Sequence, residues 1–212
     1  GGGSIDAGMS NPLFHPDYAD RMADWELVED VCAGEKAVKS KKTTYLPALS
    51  GQSDEEYLKF QTRATFFGAT KRTREALTGM LLRKPATFKV PPELEPVTAD
   101  IDLEGGTIKN WIRTVCAQVV STGRGCTVAD WSAEENRPYL SFYPARCVVN
   151  WHEERRNGRK ELVLLVLKEV SEERSGSTGA ISEQFREYTL NDQGQAQVVI
   201  KKQLKEGGTS DA

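Results

Sequence analysis

Apolar positions in the first half of the chain recur at helical spacing. Between Leu13 and Ala33 they fall at Trp25, Leu27, Val28 and Val31, and Gly34 stands where a helix would stop. Lys36 to Lys42 reads as a basic, exposed connector. Tyr45-Leu46-Pro47 reads as an extended anchor, because a residue before proline is steered away from helix. Ser53 and Glu56 have the spacing of a capping box, in which each side chain satisfies the other's free backbone N–H, so a helix is predicted to start there. Its stripe runs Tyr57, Phe60, Ala64, Phe67. After Gly68 the apolar positions become Leu77, Met80 and Leu81, on another face of a 3.6-residue wheel, which predicts a bend or break near Gly68. Pro85 is predicted to end this stretch, and Pro91, Pro92 and Pro96 to keep the next one irregular. The most regular pattern is Thr107 to Ser121: Ile108, Trp111, Ile112, Val115 and Val119 form one stripe, and Gly123 stands at the C-cap.

The pattern then changes to short runs of β-branched and aromatic residues. Cys126 to Trp131, Tyr139 to Tyr143 and Arg146 to Trp151 are predicted strands. Asn157-Gly158 predicts a type I′ hairpin turn, since both residues tolerate positive φ, and joins the strand ending near Trp151 to Glu161–Val170. Arg174 to Ala180 reads as a flexible loop. A second hairpin is predicted from Gln184 to Leu190 and Gln195 to Leu204, turning at Asn191-Asp192-Gln193-Gly194. Helices followed by strands make an α+β fold, with N-terminal helices packed with a C-terminal antiparallel β-sheet of hairpins. Residues 1–8 have the composition of a linker or tag, 9–122 form the helical region, 123–204 the antiparallel β region of the same domain, and 205–212 a flexible tail.

Composition narrows the function classes. The chain has 212 residues, enough for one large domain or two small ones with a sizeable core. Its longest apolar run, Leu162 to Leu167, is far below the roughly 20 residues of a membrane helix, so no membrane partner is expected. No secretory signal is visible, and a cytosolic setting with reduced thiols is the expectation. Lys and Arg number 28 against 31 Asp and Glu, so the whole chain is not an electrostatic nucleic-acid binder, and DNA contact would need a local patch or an assembly. Cys32, Cys116, Cys126 and Cys147 form no C-x-x-C pair, and His15 and His152 are the only histidines, so no metal site and no cofactor is expected.

Candidate chemistry is sparse. Gly123-Arg124-Gly125 lies between a helix and a strand, the reverse of the strand-then-helix order of a dinucleotide fingerprint, and reads as a helix stop with a tight turn. Cys147 with His152 is the arrangement a small hydrolase or nuclease would need for a thiol and its base; the plainer reading is a buried strand cysteine and a surface histidine. The pairs Glu55-Glu56, Glu134-Glu135, Glu153-Glu154 and Glu172-Glu173 read as solvated faces and turns. No catalytic residue is therefore assigned. Arg63, Lys71, Arg72, Arg74, Arg83 and Lys84, opposed by Glu75, make a basic stretch. It is a solvated face in a monomer, or a contact to DNA phosphates or acidic neighbours in a ring.

The ordered string Tyr45-Leu46-Pro47, Tyr57, Arg63-Ala64-Thr65-Phe66, Thr73, Leu77-Thr78-Gly79 and Arg83-Lys84-Pro85 resembles the opening of the portal-like family of tailed phages and prophages. Gly123-Arg124-Gly125, Asp130, Arg137-Pro138-Tyr139, Tyr143-Pro144, Asn150-Trp151, Leu162 to Glu169 and Gln184-Phe185-Arg186-Glu187-Tyr188 extend the likeness across most of the chain. The resemblance implies a non-enzymatic structural subunit, or its N-terminal wing, of the ring at one capsid vertex. Genome DNA is packaged and ejected through such a ring. Its implied partners are further copies of itself, capsid and scaffold proteins, the terminase that supplies ATP hydrolysis, and neck and tail proteins. The implied location is the virion, and the bacterial host cytoplasm during assembly. The stem, clip, tunnel loop and crown of such proteins come later than these residues, so this stretch alone is expected to be monomeric or weakly associating. The resemblance makes Gly79 and Pro85 shapers of a helix end and Tyr139 and Trp151 core residues, while the helical stripe itself marks Trp111 as a core position. A neck adaptor or another head-structure module is the alternative within the same setting.

Overall fold

The computed structural model describes residues 14–175, 178–191 and 193–202. The linker at 1–8, Leu13, Gly176, Ser177, Asp192, Leu204 and the 205–212 tail lie outside the described residues. The fold is α+β. Six α-helices come first among the described residues: α1 Pro16–Ala33, α2 Glu35–Ser40, α3 Asp54–Arg63, α4 Ala69–Leu81, α5 Glu95–Ala99 and α6 Ile108–Thr122. Six strands follow: β1 Gly125–Ser132, β2 Arg137–Pro144, β3 Val148–Arg156, β4 Arg159–Ser175, β5 Thr178–Leu190 and β6 Ala196–Lys202. They form two antiparallel sheets, β1-β2 and β3-β4-β5-β6. The chain divides into two units: a helical unit, Met22–Ala145, which includes β1 and β2, and a sheet unit of Gly1–Arg21 with Arg146–Ala212.

Local signals place most helix ends. Gly34 has φ 103° directly after α1, and Gly123 has φ 80° as the left-handed C-cap of α6, a conformation that disfavours a side chain with Cβ. The Thr107 hydroxyl caps α6 by accepting from the Asn110 N–H at 3.3 Å. The capping box opens α3: the Glu56 N–H donates to Ser53 Oγ at 3.3 Å, and the Ser53 N–H donates to Glu56 Oε2 at 3.0 Å. The break between α3 and α4 spans 64–68, close to the expected position.

Several expectations need correction. The connector at Lys36–Lys42 contains a short helix, α2, which buries Val38 and carries a Lys39–Glu35 pair at 2.7 Å. Tyr45 is not extended; it ends a 3-10 turn, and its hydroxyl donates to Asp30 Oδ2 at 2.7 Å, while the Leu46 carbonyl accepts from the Tyr57 hydroxyl at 2.9 Å. Helix α4 closes at Leu81, four residues before Pro85, and Gly79 is an interior residue with open space around its Cα. Gly79 therefore does not form the helix end, whereas Pro85 lacks the N–H that would bond the Leu81 carbonyl and continue the helix. Pro96 lies in the first turn of α5, where a missing N–H leaves no helical bond unmade, so the proline-rich stretch includes a helix. Arg174–Ala180 is not a loop throughout, because pairing of β4 with β5 continues to Ser175 opposite Thr178.

In the helical unit Trp25, Cys32, Val38, Val97, Ile101 and Ala145 are buried. The Trp25 indole N–H donates to the Thr122 carbonyl at 3.1 Å, and the Arg124 guanidinium lies 4.4 Å from the Trp25 ring centre. Between α5 and α6, Arg137 of β2 holds the Asp100 carboxylate and donates to the Asp100 carbonyl at 2.6 Å, while the Leu140 N–H donates to the Ile101 carbonyl at 2.8 Å. The Asp102 carboxyl is held below the usual carboxylate range, first by the Glu104 N–H and also by that of Gly106.

In the sheet unit the Asn157-Gly158 turn forms as expected, with φ 50° and 78°. Buried Val149, Val163, Val166, Leu167 and Phe185 make the core. Val166 and Leu167 are consecutive in β4 and so point to opposite faces, which puts buried side chains on both sides of the sheet. The His15 N–H donates to the Val149 carbonyl at 3.0 Å, and the His15 ring stacks on Trp151 with centroids 3.8 Å apart. Trp111, Tyr139 and Trp151 are each only partly buried, not the deep core positions that the helical stripe implied for the first and the resemblance for the other two.

Leu167 is fully buried, so Leu167→Ala is expected to destabilise the sheet unit by about 2–5 kcal/mol, read as a lowered urea midpoint. An unchanged midpoint would place the core elsewhere.

Candidate interaction surface

Helix α4 carries the densest group of candidate residues, and local geometry decides which of them share a surface. Each residue of an α-helix turns about 100°, so Lys71 and Arg74 lie within about 60° of each other while Arg72 is about 160° from Arg74. The six basic positions therefore do not form one face. Arg63 closes α3, its Nε–H donating to the Lys59 carbonyl at 3.3 Å, and Arg83 and Lys84 follow α4 in non-helical chain. The Arg72 guanidinium sits 5.0 Å from the centre of the Phe67 ring. Arg74 turns toward a cavity of about 340 Å³ that it lines with Val28, Thr73, Leu77, Val120 and Ser121. Its Nε is buried and has no hydrogen-bond partner.

The apolar stripe of α4 behaves differently from a core stripe. Helix α4 packs against α6, yet the side chain it buries is Thr78. Leu77, Met80 and Leu81 remain 42%, 64% and 63% exposed. Their spacing gives a continuous apolar strip on the helix, bounded at one end by Arg83 and Lys84. Helix α3 also leaves a leucine in solvent. Leu58 is 61% exposed one turn beyond Asp54, and on the same side of the helix Tyr57 and Gln61 bond to the Leu46 and Lys39 carbonyls. Exposed apolar residues grouped on helices beside charged ones are the usual form of a protein contact surface.

The other candidates are held in structural roles. Arg124 lies over Trp25 and donates through Nη2 to the Ala145 carbonyl at 3.4 Å. A Cβ at Gly125 would come within 2.6 Å of the Phe142 ring, so this glycine is required by close packing of β1 on β2. Cys147 ends a 3-10 turn, Ala145–Cys147, and is partly buried, whereas the strand begins at Val148; this corrects the buried strand position expected for it. His152 is exposed on β3 with Nε2 3.8 Å from Glu154. The carboxylates of Glu55, Glu153 and Glu154 pair with Lys59, Lys160 and Arg156, at 2.7, 3.5 and 3.1 Å. Glu172 and Glu173 fall where no side chain is described. Tyr139 faces Asp130 across the β1-β2 register, its hydroxyl 3.4 Å from Oδ2. Burial raises the pKa of the Cys126 thiol, which lowers its reactivity.

No known protein family and no curated protein matches this chain. Among the described residues no helix is long and apolar enough to cross a membrane.

The capping box gives α3 a pH dependence with a definite sign. The Ser53 backbone N–H, and then its hydroxyl, hold the Glu56 carboxyl below the ordinary value. A lowered folded pKa stabilises the helix above the unfolded value of about 4.3 and is lost as pH falls through the folded pKa. The protection of α3 amides, taken relative to their intrinsic exchange rate at each pH, is therefore expected to fall on acidification below about pH 4, and Glu56→Gln, which can still cap, should flatten that response. An equally steep response in Glu56→Gln would remove the carboxylate from the account.

Proposed function

We propose that this chain is a structural subunit of a phage portal ring, or the wing part of one, whose role arises when copies close around a shared axis. The supporting observation is the exposed apolar strip Leu77, Met80 and Leu81 on α4, beside basic side chains and on a helix that buries only a threonine. Such a strip is incomplete in a lone molecule and suits repeated contact with a neighbour. The α+β order of elements is compatible with the same reading, as is the use of Arg124, Glu153, Glu154 and Tyr139 in internal contacts. Under this proposal the ring surrounds passing genome DNA at a capsid vertex and receives the terminase and the neck and tail proteins. The subunit itself catalyses nothing.

Electron microscopy of the protein at its natural length tests this. Closed rings of uniform size are the expected result. A protein that stays monomeric at that length, or a hydrolase or nuclease activity that disappears in His152→Ala, would overturn the proposal.

A further inference from the structure

We infer that the cavity between α1, α4 and α6 is a binding site for a small carboxylate with a short apolar body, held by the Arg74 guanidinium. The inference goes beyond the ring reading and does not rest on it. On α4, Thr70, Thr73, Arg74 and Leu77 recur at i, i+3, i+4 and i+7 and so share one face. That face lines a cavity of about 340 Å³, whose other walls include Val28 of α1 and Val120 and Ser121 of α6. All of these residues belong to the helical unit. Thr70 and Thr73 are exposed, whereas Arg74, Val28, Val120 and Ser121 are partly buried. The cavity therefore opens to solvent beside the threonines and narrows toward α1 and α6. Its volume lies near the lower end of the roughly 300–1,000 Å³ of ligand pockets, which selects a small molecule.

The polar inventory of the cavity selects the chemistry. Arg74 Nε is buried without a hydrogen bond, and the guanidinium has no ion pair among the described residues. A donor drawn off water with no acceptor costs free energy, so its retention here points to an acceptor that arrives from outside the chain. No carboxylate lines the cavity, and Glu75, the one acid of α4, turns about 100° away from Arg74. The Ser121 hydroxyl donates to the Ala117 carbonyl at 2.8 Å and so brings no free donor. The guanidinium is therefore the donor that faces the interior. Its Nε and a terminal nitrogen form an edge that matches the two oxygens of a carboxylate. Val28, Leu77 and Val120 then supply apolar walls for the rest of the molecule. A phosphate fits less well, because its further oxygens would meet valine and leucine rather than donors.

Titration of the unaltered chain with hexanoate, followed by thermal melting and by amide chemical shifts, tests the assignment. Hexanoate should bind saturably, raise the melting temperature with concentration, and shift the amides of Val28, Thr73, Arg74 and Val120. Hexanol lacks the carboxylate and inorganic phosphate lacks the apolar body, so each should bind about tenfold or more weakly. Arg74→Met keeps an unbranched apolar stem and should weaken hexanoate binding by about tenfold or more. Without ligand the same variant should melt no lower than the unaltered chain, since it removes a donor that has no partner. A marked loss of stability in Arg74→Met would show a structural role for the guanidinium and overturn the assignment. So would absence of saturable hexanoate binding, hexanol or phosphate binding within a few-fold of hexanoate, unchanged binding by Arg74→Met, or amide shifts confined to the sheet unit. None of these results bears on ring formation, so the two readings fail separately.

Discussion

The helical unit depends on the junction built around Trp25. Its indole N–H satisfies the Thr122 carbonyl at the end of α6, where a helix leaves acceptors without intrahelical donors. One residue later Gly123 reverses the chain in a left-handed conformation, and Arg124 then covers the other side of the indole and reaches the Ala145 carbonyl. A single aromatic side chain thus ties α1 to the end of α6, the start of β1 and the residue after β2. Gly125, against the Phe142 ring, keeps β1 close enough to β2 for this arrangement to persist. With α6 fixed in this way, the face available to α4 is fixed too.

That constraint explains the surface. Helix α4 packs against α6 and buries Thr78, with Leu77 beside Val120 and Ser121 across a cavity, while Met80 and Leu81 stay largely in solvent. Apolar side chains at this density are ordinarily drawn into a core, at roughly 1.5–3 kcal/mol each, and a chain that leaves them in water has a use for them or a cost to bear. The functional reading therefore rests on helix faces rather than on a pocket of reactive groups.

The parts of the fold legible in the sequence are those set by neighbours a few residues apart. Ser53 with Glu56, Gly34, Gly123 and Asn157-Gly158 each act through backbone conformation or a cap, and each stands where its signal indicated. Periodicity located α4 but not its orientation, since Thr78 is its buried side chain while Met80 and Leu81 stay exposed, and no local rule selects between them. Contacts distant in sequence were not visible. Arg137 binding Asp100 and Arg124 over Trp25 join segments whose approach depends on the whole unit. Helix α5 was obscured because Pro96 reads as a breaker unless its place in the first turn is known. The candidate surface was half legible: the basic residues of α4 stand out as a group in the sequence, but helix geometry spreads them over more than one face, and periodicity alone does not say whether Leu77, Met80 and Leu81 are covered.

The most direct measurement is amide hydrogen exchange across a range of protein concentrations. The account predicts that protection rises with concentration in α4, where Met80 and Leu81 are exposed, and stays constant around the buried Leu167 of β4. Protection in α4 that is independent of concentration, or that rises along β6 instead, would contradict it.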